Sequence, residues 1–546
     1  MRKPFMIIYM LISSIVFSQK GGMLNLNIKN DTIHYLNLEK LSISVQVIEN
    51  LATTTMTMRF YNHTNRILEG ELNFPLGEGQ NISRFAMDID GNMREGVVIE
   101  KAKGTEVFES IVYRRVDPGL LEMTEGNNFK SRVYPINPKG FKTIIIAFEH
   151  ELNVVKNQYL YLLPLNIKDV IKEFDVKVEV FESELKPKSI DHELVTLKFN
   201  KGNKGYQSKF SKSNFKANEQ LGFSIPIQDK KLNLLTYRGV TDSISYFYKT
   251  DNISHKTKKK EKPDGITIYW DNSGSAFQKN SLKELALFDE YFKWAGNVNV
   301  EFITFANEIE KSILFEIKNG NWTALRLYLE QLKPDGGTQL GILNFKTAKY
   351  NEIMFFCDGL SNYGKSQIQL SSKPVSVINS NMVANHSYLK YIAQSTGGQY
   401  INLNNTPLNK ALEVLTTENL QLLRVEYKED EISDLFINHP SGDIDRFSLI
   451  GKINAKSADV VLHFGYPDKK TLFTEKVSIE NKTVLANPLL ERYWVQQKLN
   501  ALNVNFQENK DEITVIGKKY GFVTKTTSLI VLDDIELGWR QLAEEL

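Results

Sequence analysis

Two hydrophobic rhythms divide this chain, and each admits few folds. From Lys40 to about Gln228 apolar and polar residues alternate, as in LSISVQVI (41–48), TMTMRFYN (55–62), TIIIAFEHEL (143–152) and FDVKVEVFE (174–182). Period two marks strands with one buried face, because successive side chains point to opposite sides. Short runs of this kind, parted by Gly, Pro, Asn and Asp, predict a sandwich or barrel. One helix is expected near Glu100–Tyr113. Asp117-Pro118-Gly119 predicts a turn in which Pro presets the second position and Gly takes a positive φ at the third. YPINPKG (134–140) predicts a second rigid turn.

From residue 266 whole segments alternate instead. ITIYWD (266–271), VNVEFITFA (298–306), KSILFEI (311–317), EIMFFCDG (352–359), PVSVINS (374–380) and QYINL (399–403) read as strands. SLKELALFDEYFKWA (281–295) carries Leu282, Leu285, Ala286, Phe288, Tyr291 and Phe292 near helical period. WTALRLYLEQL (322–332) and HSYLKYIAQSTGG (386–398) are further helices, and another is expected to begin at the Gly336-Gly337-Thr338 turn. Strand–helix alternation predicts a doubly wound α/β sheet, whose ligands sit beyond the C-terminal strand ends.

At those ends stand oxygen donors. Asp271-Asn272-Ser273-Gly274-Ser275 follows the first strand, Asp358 follows the FFC strand, and Thr338 lies between them in sequence. Two carboxylates and three hydroxyls suit a hard cation such as Mg²⁺ better than a soft metal. Two negative charges on one dication leave it able to accept a further anion. The plain alternative is a serine-rich loop that caps the following helix. Cys357, inside the apolar strand, reads as a buried inert thiol.

Three blocks of the first half resemble the VIT domain (vault protein inter-alpha-trypsin): FYNHTNRILEGELNFPL (60–76), GVVIEKAKGTEVFESIVYRRVDPGLLEM (96–123) and FKSRVYPINPKG (129–140). The D-x-S-x-S loop with the later Thr and Asp resembles the metal-ion-dependent adhesion site of von Willebrand factor A domains. That resemblance implies a divalent ion, Mg²⁺ first and Mn²⁺ or Ca²⁺ next, held by Asp271, Ser273, Ser275, Thr338 and Asp358. The serines and Thr338 would coordinate directly or nearly so, and the carboxylates partly through water. Toward the C-terminus, LQLLRVEYKE (420–429), FSLIGKI (447–453) and ADVVLHFGY (458–466) read as strands, and PLLERYWVQQKLNAL (488–502) as an amphipathic helix. This helix and GKKYGFVTKTTSLIVLDD (517–534) are similar to the segment after the A domain in inter-alpha-trypsin inhibitor heavy chains. The acidic DPH-type attachment motif of those chains does not occur here.

The expected architecture is therefore multidomain. An all-β VIT module (24–235) precedes a linker (236–263) containing the lysine-rich HKTKKKEKPDG run, a Rossmann-like, doubly wound von Willebrand A domain (264–410), and a C-terminal β module with closing helices (411–546). Residues 1–18, MRKPFMIIYMLISSIVFS, read as a signal peptide cleaved after Ser18, since the apolar run is short for a membrane span. An exported chain with one cysteine fits a bacterial envelope better than a disulfide-rich extracellular setting. The net charge of +2 supplies no field for nucleic acid. No G-x-S-x-G, C-x-x-C, H-E-x-x-H or phosphate-loop motif is present, so no enzyme is expected. The function expected is metal-dependent protein interaction or adhesion, with a partner's acidic side chain on the ion. A scaffold with a structural metal is the alternative, and a metal-assisted hydrolase comes behind both.

Overall fold

The computed structural model describes residues 26–532, apart from residues 30, 114–117, 156, 166, 168–169, 191–194, 219, 228–233, 240–243, 254–257, 419, 439–445, 467–469, 483–484 and 486. The signal peptide expected at 1–18 lies outside the described residues. Among the described residues, no helix is long and apolar enough to cross a membrane.

In the first half the period-two segments form a large twisted sheet. Asp31–Ile48 pairs antiparallel with Leu51–Tyr61, which pairs in turn with Phe141–Glu151. Val170–Phe181 runs parallel to Asp31–Ile48 on its other side. The alternation sends Leu41, Ile43, Val45 and Val47 into the core and leaves the residues between them on the other face. One helix, Lys101–Tyr113, interrupts the strands. Asp117 of the expected turn lies outside the described residues. Gly119, expected at positive φ, instead opens the strand Gly119–Met123 and is absent from the positive-φ glycines. Its lack of a side chain serves packing, because a Cβ there would stand 3.0 Å from the Met87 methyl carbon.

The last described strand belongs to this same sheet. Thr527–Val531 inserts between Val97–Glu100 and Gly119–Met123, antiparallel to both. Local periodicity reports which face of a strand is buried, not which strand lies beside it, so this pairing could not be read from the sequence.

Part of the stretch expected as a linker is also structured. Leu234–Arg238 and Ser245–Asn252 join Arg446–Ile453 and Ile432–Asn438 in a four-stranded sheet. The α/β unit thus sits between two halves of one β module. Tyr246, Phe247 and Tyr248 are buried there, and the lysine run that prompted the linker reading starts only after them. Two of its lysines are ion-paired, Lys258 with Glu418 and Lys260 with Glu352.

The α/β unit is a six-stranded sheet. Its order is Ile309–Ile317, Val298–Phe305, Gly265–Asp271, Glu352–Phe356, Val375–Asn379, Tyr400–Asn402. All neighbours are parallel except the antiparallel edge strand Ile309–Ile317. Helix Ser281–Ala295 is capped by the Asn280 side chain, and helix His386–Thr396 ends on Gly397 in the left-handed region. Helix Leu408–Thr416 runs past the expected boundary at 410 and buries Ala411, Val414 and Leu415 in the same core. The helix expected from the Gly336-Gly337-Thr338 turn is absent. Two 3₁₀ turns, Leu340–Ile342 and Phe345–Thr347, stand there instead. Gly341 is pressed against Lys365, and the Asn344 side chain accepts from Lys346 N, so neither residue supports a continuous helix.

Helix Leu489–Asn503 packs its Tyr493 and Trp494 against Tyr248 and Tyr246. Beside them lies a polar hub. The Glu151 carboxylate accepts hydrogen bonds from Asn50 Nδ2 (2.9 Å), Tyr248 OH (2.8 Å), Asn438 Nδ2 (2.6 Å) and Tyr493 OH (2.5 Å). One side chain of the first sheet thereby joins the four-stranded sheet and the closing helix.

Candidate metal centre

The strand Gly265–Asp271 is buried at all seven positions. It lies between Val298–Phe305 and Glu352–Phe356, so its C-terminal end is at the centre of the sheet. The crossovers leave it in opposite directions, and the crevice at such a switch point is where an α/β sheet takes its ligands. Asp271 ends this strand and Asp358 lies two residues beyond Phe356 on the neighbouring strand. That adjacency brings the two carboxylates together.

Asp271 is 0% exposed, Ser273 and Asp358 1%, and Thr338 2%, while Ser275 is half-buried. Asp271 Oδ1 accepts from Ser273 N at 3.0 Å, which folds the loop back on its own acid. The Ser273 and Ser275 hydroxyls lie 3.1 Å apart. Gly274 N donates to Gly336 O (2.9 Å) and Asp335 N to Asn272 O (3.0 Å), so the serine loop and the loop bearing Thr338 are stitched together. Thr338 N in turn donates to Asn362 Oδ1 at 2.8 Å, which ties in the loop after Asp358. The five residues singled out in the sequence therefore lie on three mutually bonded loops.

The contacts of three residues around them were not anticipated. Asn381 Nδ2 donates to Asp358 Oδ2 at 2.9 Å. Cys357 Sγ donates to Asp271 Oδ2 at 3.1 Å and accepts from Gly359 N. Burial and the two carboxylates push the thiol pKa well up, so it stays protonated as a donor. Glu284, on the helix after the serine loop, is buried and takes a hydrogen bond from Ser380 Oγ. Burial raises its pKa, and the Asp271 charge adds to the effect. Only the position of Cys357 beside Asp358 was visible in the linear motif.

The electrostatics favour a cation. Burial, then the Asp271 charge, push the Asp358 carboxyl up to about 6. The hydrogen-bond donors to these two carboxylates named above are all neutral groups. The Lys279 ammonium donates to the Asp271 backbone carbonyl and lies 4.6 Å from the Trp270 ring centroid. One donor atom from each of Asp271, Cys357 and Asp358 falls within 4.8 Å of the others. Two buried acceptors beside the loops, Asn272 Oδ1 and Asn381 Oδ1, find no donor among the described residues. Buried acceptors of that kind suit the waters of a hydrated ion. The donor set and its charge thus fit a hard dication, and the protonated thiol lies outside that set.

Residues 38–149 match the family model of the vault protein inter-alpha-trypsin domain. Among curated proteins, inter-alpha-trypsin inhibitor heavy chain H3 of Pongo abelii is 22% identical over 90% of this chain and 63% of its own length. Human heavy chain H4 is 24% identical over 27% of this chain and 16% of its own length. The chain spans less than two thirds of the curated relatives it matches first. Among solved structures, the ArnB paralog VWA2 of Sulfolobus acidocaldarius is 13% identical with a TM-score of 0.27, over 53% of this chain and 87% of its own. A von Willebrand factor type A protein of Catenulispora acidiphila is 9% identical, also at 0.27, over 53% and 86%. The structural overlaps are too loose to bear on the site. The chain carries a VIT domain and is similar across most of its length to the inter-alpha-trypsin inhibitor heavy chains.

Proposed function

We propose that this is an exported protein-interaction or adhesion protein whose α/β unit is a von Willebrand A domain with a metal-ion-dependent adhesion site. Asp271, Ser273, Ser275, Thr338 and Asp358 would hold one divalent ion, with Mg²⁺ preferred by this all-oxygen set. When bound, the ion supplies a positive centre that draws an acidic side chain of a protein partner. The chain's own residues do the rest. Asp271 and Asp358 provide the counter-charge, and the bonds between the serine loop and residues 335–338 hold the hydroxyls in place. Cys357 and Asn381 each occupy one carboxylate oxygen and fix its orientation.

The observation that carries this reading is the pair of buried carboxylates at the ends of adjacent central strands. Two like charges in such a place raise each other's energy unless a cation joins them. Calorimetric titration with Mg²⁺ tests it. Wild type is expected to give a saturable one-site heat, and Asp271→Ala none, with both proteins folded by circular dichroism. Equal heats from the two proteins would defeat the reading.

A structural role for the ion is the second reading. It is favoured by the contact of Asn127, from the VIT domain, with residues 382–384 beside the metal loops. On that reading EDTA lowers the melting temperature and leaves partner capture unchanged. Export rests on residues 1–18, and sequencing of the mature N-terminus is expected to begin at Gln19. A start at Met1 would remove that part of the proposal.

A further inference from the structure

A continuous run of hydrogen bonds leads from the metal loops to the VIT domain. Asn381 Nδ2 holds Asp358 Oδ2. The Asn381 carbonyl accepts from Asn404 Nδ2 at 2.9 Å and from Asn379 Nδ2 at 3.0 Å. Asn404 N donates to Asn402 Oδ1 at 3.1 Å. Asn402 Nδ2 donates to Glu78 Oε2 at 3.1 Å, as does Asn405 Nδ2. Glu78 belongs to the VIT domain and is also ion-paired with Lys390 of the α/β unit at 2.7 Å. Asn379, Asn381 and Asn402 are all buried, so water does not stand in for these links at little cost.

A second VIT contact grips the same segment. Ala384 N donates to Asn127 Oδ1 at 3.0 Å, and Asn127 Nδ2 donates to Met382 O at 3.2 Å. Gly126, at φ +62°, lies so close that a Cβ would come within 2.9 Å of Ala384 O. One residue on, Asn385 N donates to Asp358 O at 2.8 Å. Residues 381–385 are therefore held by Asp358 at both ends and by the VIT domain in the middle.

We infer that docking of the VIT domain sets the divalent-ion affinity of the α/β unit, and that Asn381 is the positioning residue through which it acts. This rests on the metal reading given above. A docked VIT domain keeps residues 381–385 in one arrangement, and Asn381 then keeps the Asp358 carboxylate aimed. The pre-aligned carboxylate gives up less freedom when the ion binds. Coupling of this kind is reciprocal, so the ion tightens the docking by the same factor. The VIT domain is thereby an internal effector of the neighbouring site.

The test is a Mg²⁺ titration of the full chain as wild type, Asn381→Ala, Glu78→Gln and Asn127→Ala, with melting in EDTA to establish that each folds. Each variant is expected to bind Mg²⁺ roughly 5- to 150-fold more weakly. Adding Glu78→Gln to Asn381→Ala should weaken binding little further, because both act through one link. Asn405→Ala removes a single donor to Glu78, and a weakened affinity there serves the same purpose if Glu78→Gln does not fold. Hydrogen exchange supplies a second readout. Mg²⁺ should slow exchange of the Ala384 amide in wild type and not in Asn381→Ala. Wild-type affinity in folded Glu78→Gln and Asn127→Ala proteins would overturn this inference alone. Absence of any Mg²⁺ heat in wild type would overturn the metal reading, and this inference with it.

Discussion

Glu151→Ala is expected to cost about 3–5 kcal/mol of stability, the scale of leaving several buried donors without a partner. The Glu151 carboxylate collects four donors. Two of them, the Tyr248 and Tyr493 hydroxyls, belong to fully buried side chains. Deleting the acid leaves the Tyr493 hydroxyl without an acceptor and the Tyr248 hydroxyl with Asn50 Oδ1 alone, at a three-way junction where hydrogen bonds to a charge are stronger than neutral ones. Glu151→Gln keeps one good acceptor and should recover about half of the loss. Guanidinium unfolding followed by tryptophan fluorescence would measure both, since Trp494 lies in the adjoining aromatic cluster. A loss below about 1 kcal/mol for the alanine variant would show that the junction repacks around water.

Acid should weaken the protein through Glu78. The Lys390 and His386 charges, and hydrogen bonds from Lys390 and Asn402, overcome burial and lower its pKa from 4.5 to about 2. A depressed carboxylate contributes stability above its unfolded value and loses it as pH falls through the folded one. The window is pH 4.5 down to 2, and the full contribution is about 3 kcal/mol. The Glu78 side chain is 12% exposed, so solvent screening removes little of it. The stability difference between wild type and Glu78→Gln, at most about 3 kcal/mol at pH 7, should therefore shrink as pH falls through this window. Burial lowers the His386 pKa to about 4 and the Glu78 charge opposes that shift, so His386 is charged only in the lower part of the window, where its attraction to Glu78 slows the shrinkage. Asp358, raised to about 6 by burial, gains stability as pH falls in metal-free protein, and this contribution cancels in the difference because Glu78 is not among the groups acting on it. A difference independent of pH would refute the assignment of the clamp to Glu78.

What could be read in the sequence was local. Period two marked the strands around Leu41–Ile48 and Thr143–Glu151, and the helical spacing of Leu285, Phe288 and Phe292 marked their helix. Asp271 and Asp358 stood out because a charge closing an apolar strand is unusual, and strand ends are where such sheets bind. The misreadings have local causes as well. Gly119 resembled a turn glycine because Pro118 precedes it, whereas the crowding comes from Met87, distant in sequence. The lysine run drew the linker boundary across Tyr246–Tyr248, which the structure buries. Asn381, Asn404 and Glu78 carried no signal, since asparagines near glycines and serines ordinarily mark loops. Their roles exist only through contacts that the chain order does not express.

The strand Thr527–Val531 bears on how such a chain is made. Its neighbours in the sheet are among the early segments, and Lys518 is bonded to Glu100 across 418 residues of sequence. At ribosomal speed that interval takes roughly 20–80 s. The amino-terminal sheet must wait that long, with two of its strands lacking the partner that belongs between them. A chain so delayed keeps that slot open, and its first sheet is complete only once residues 527–531 have been made.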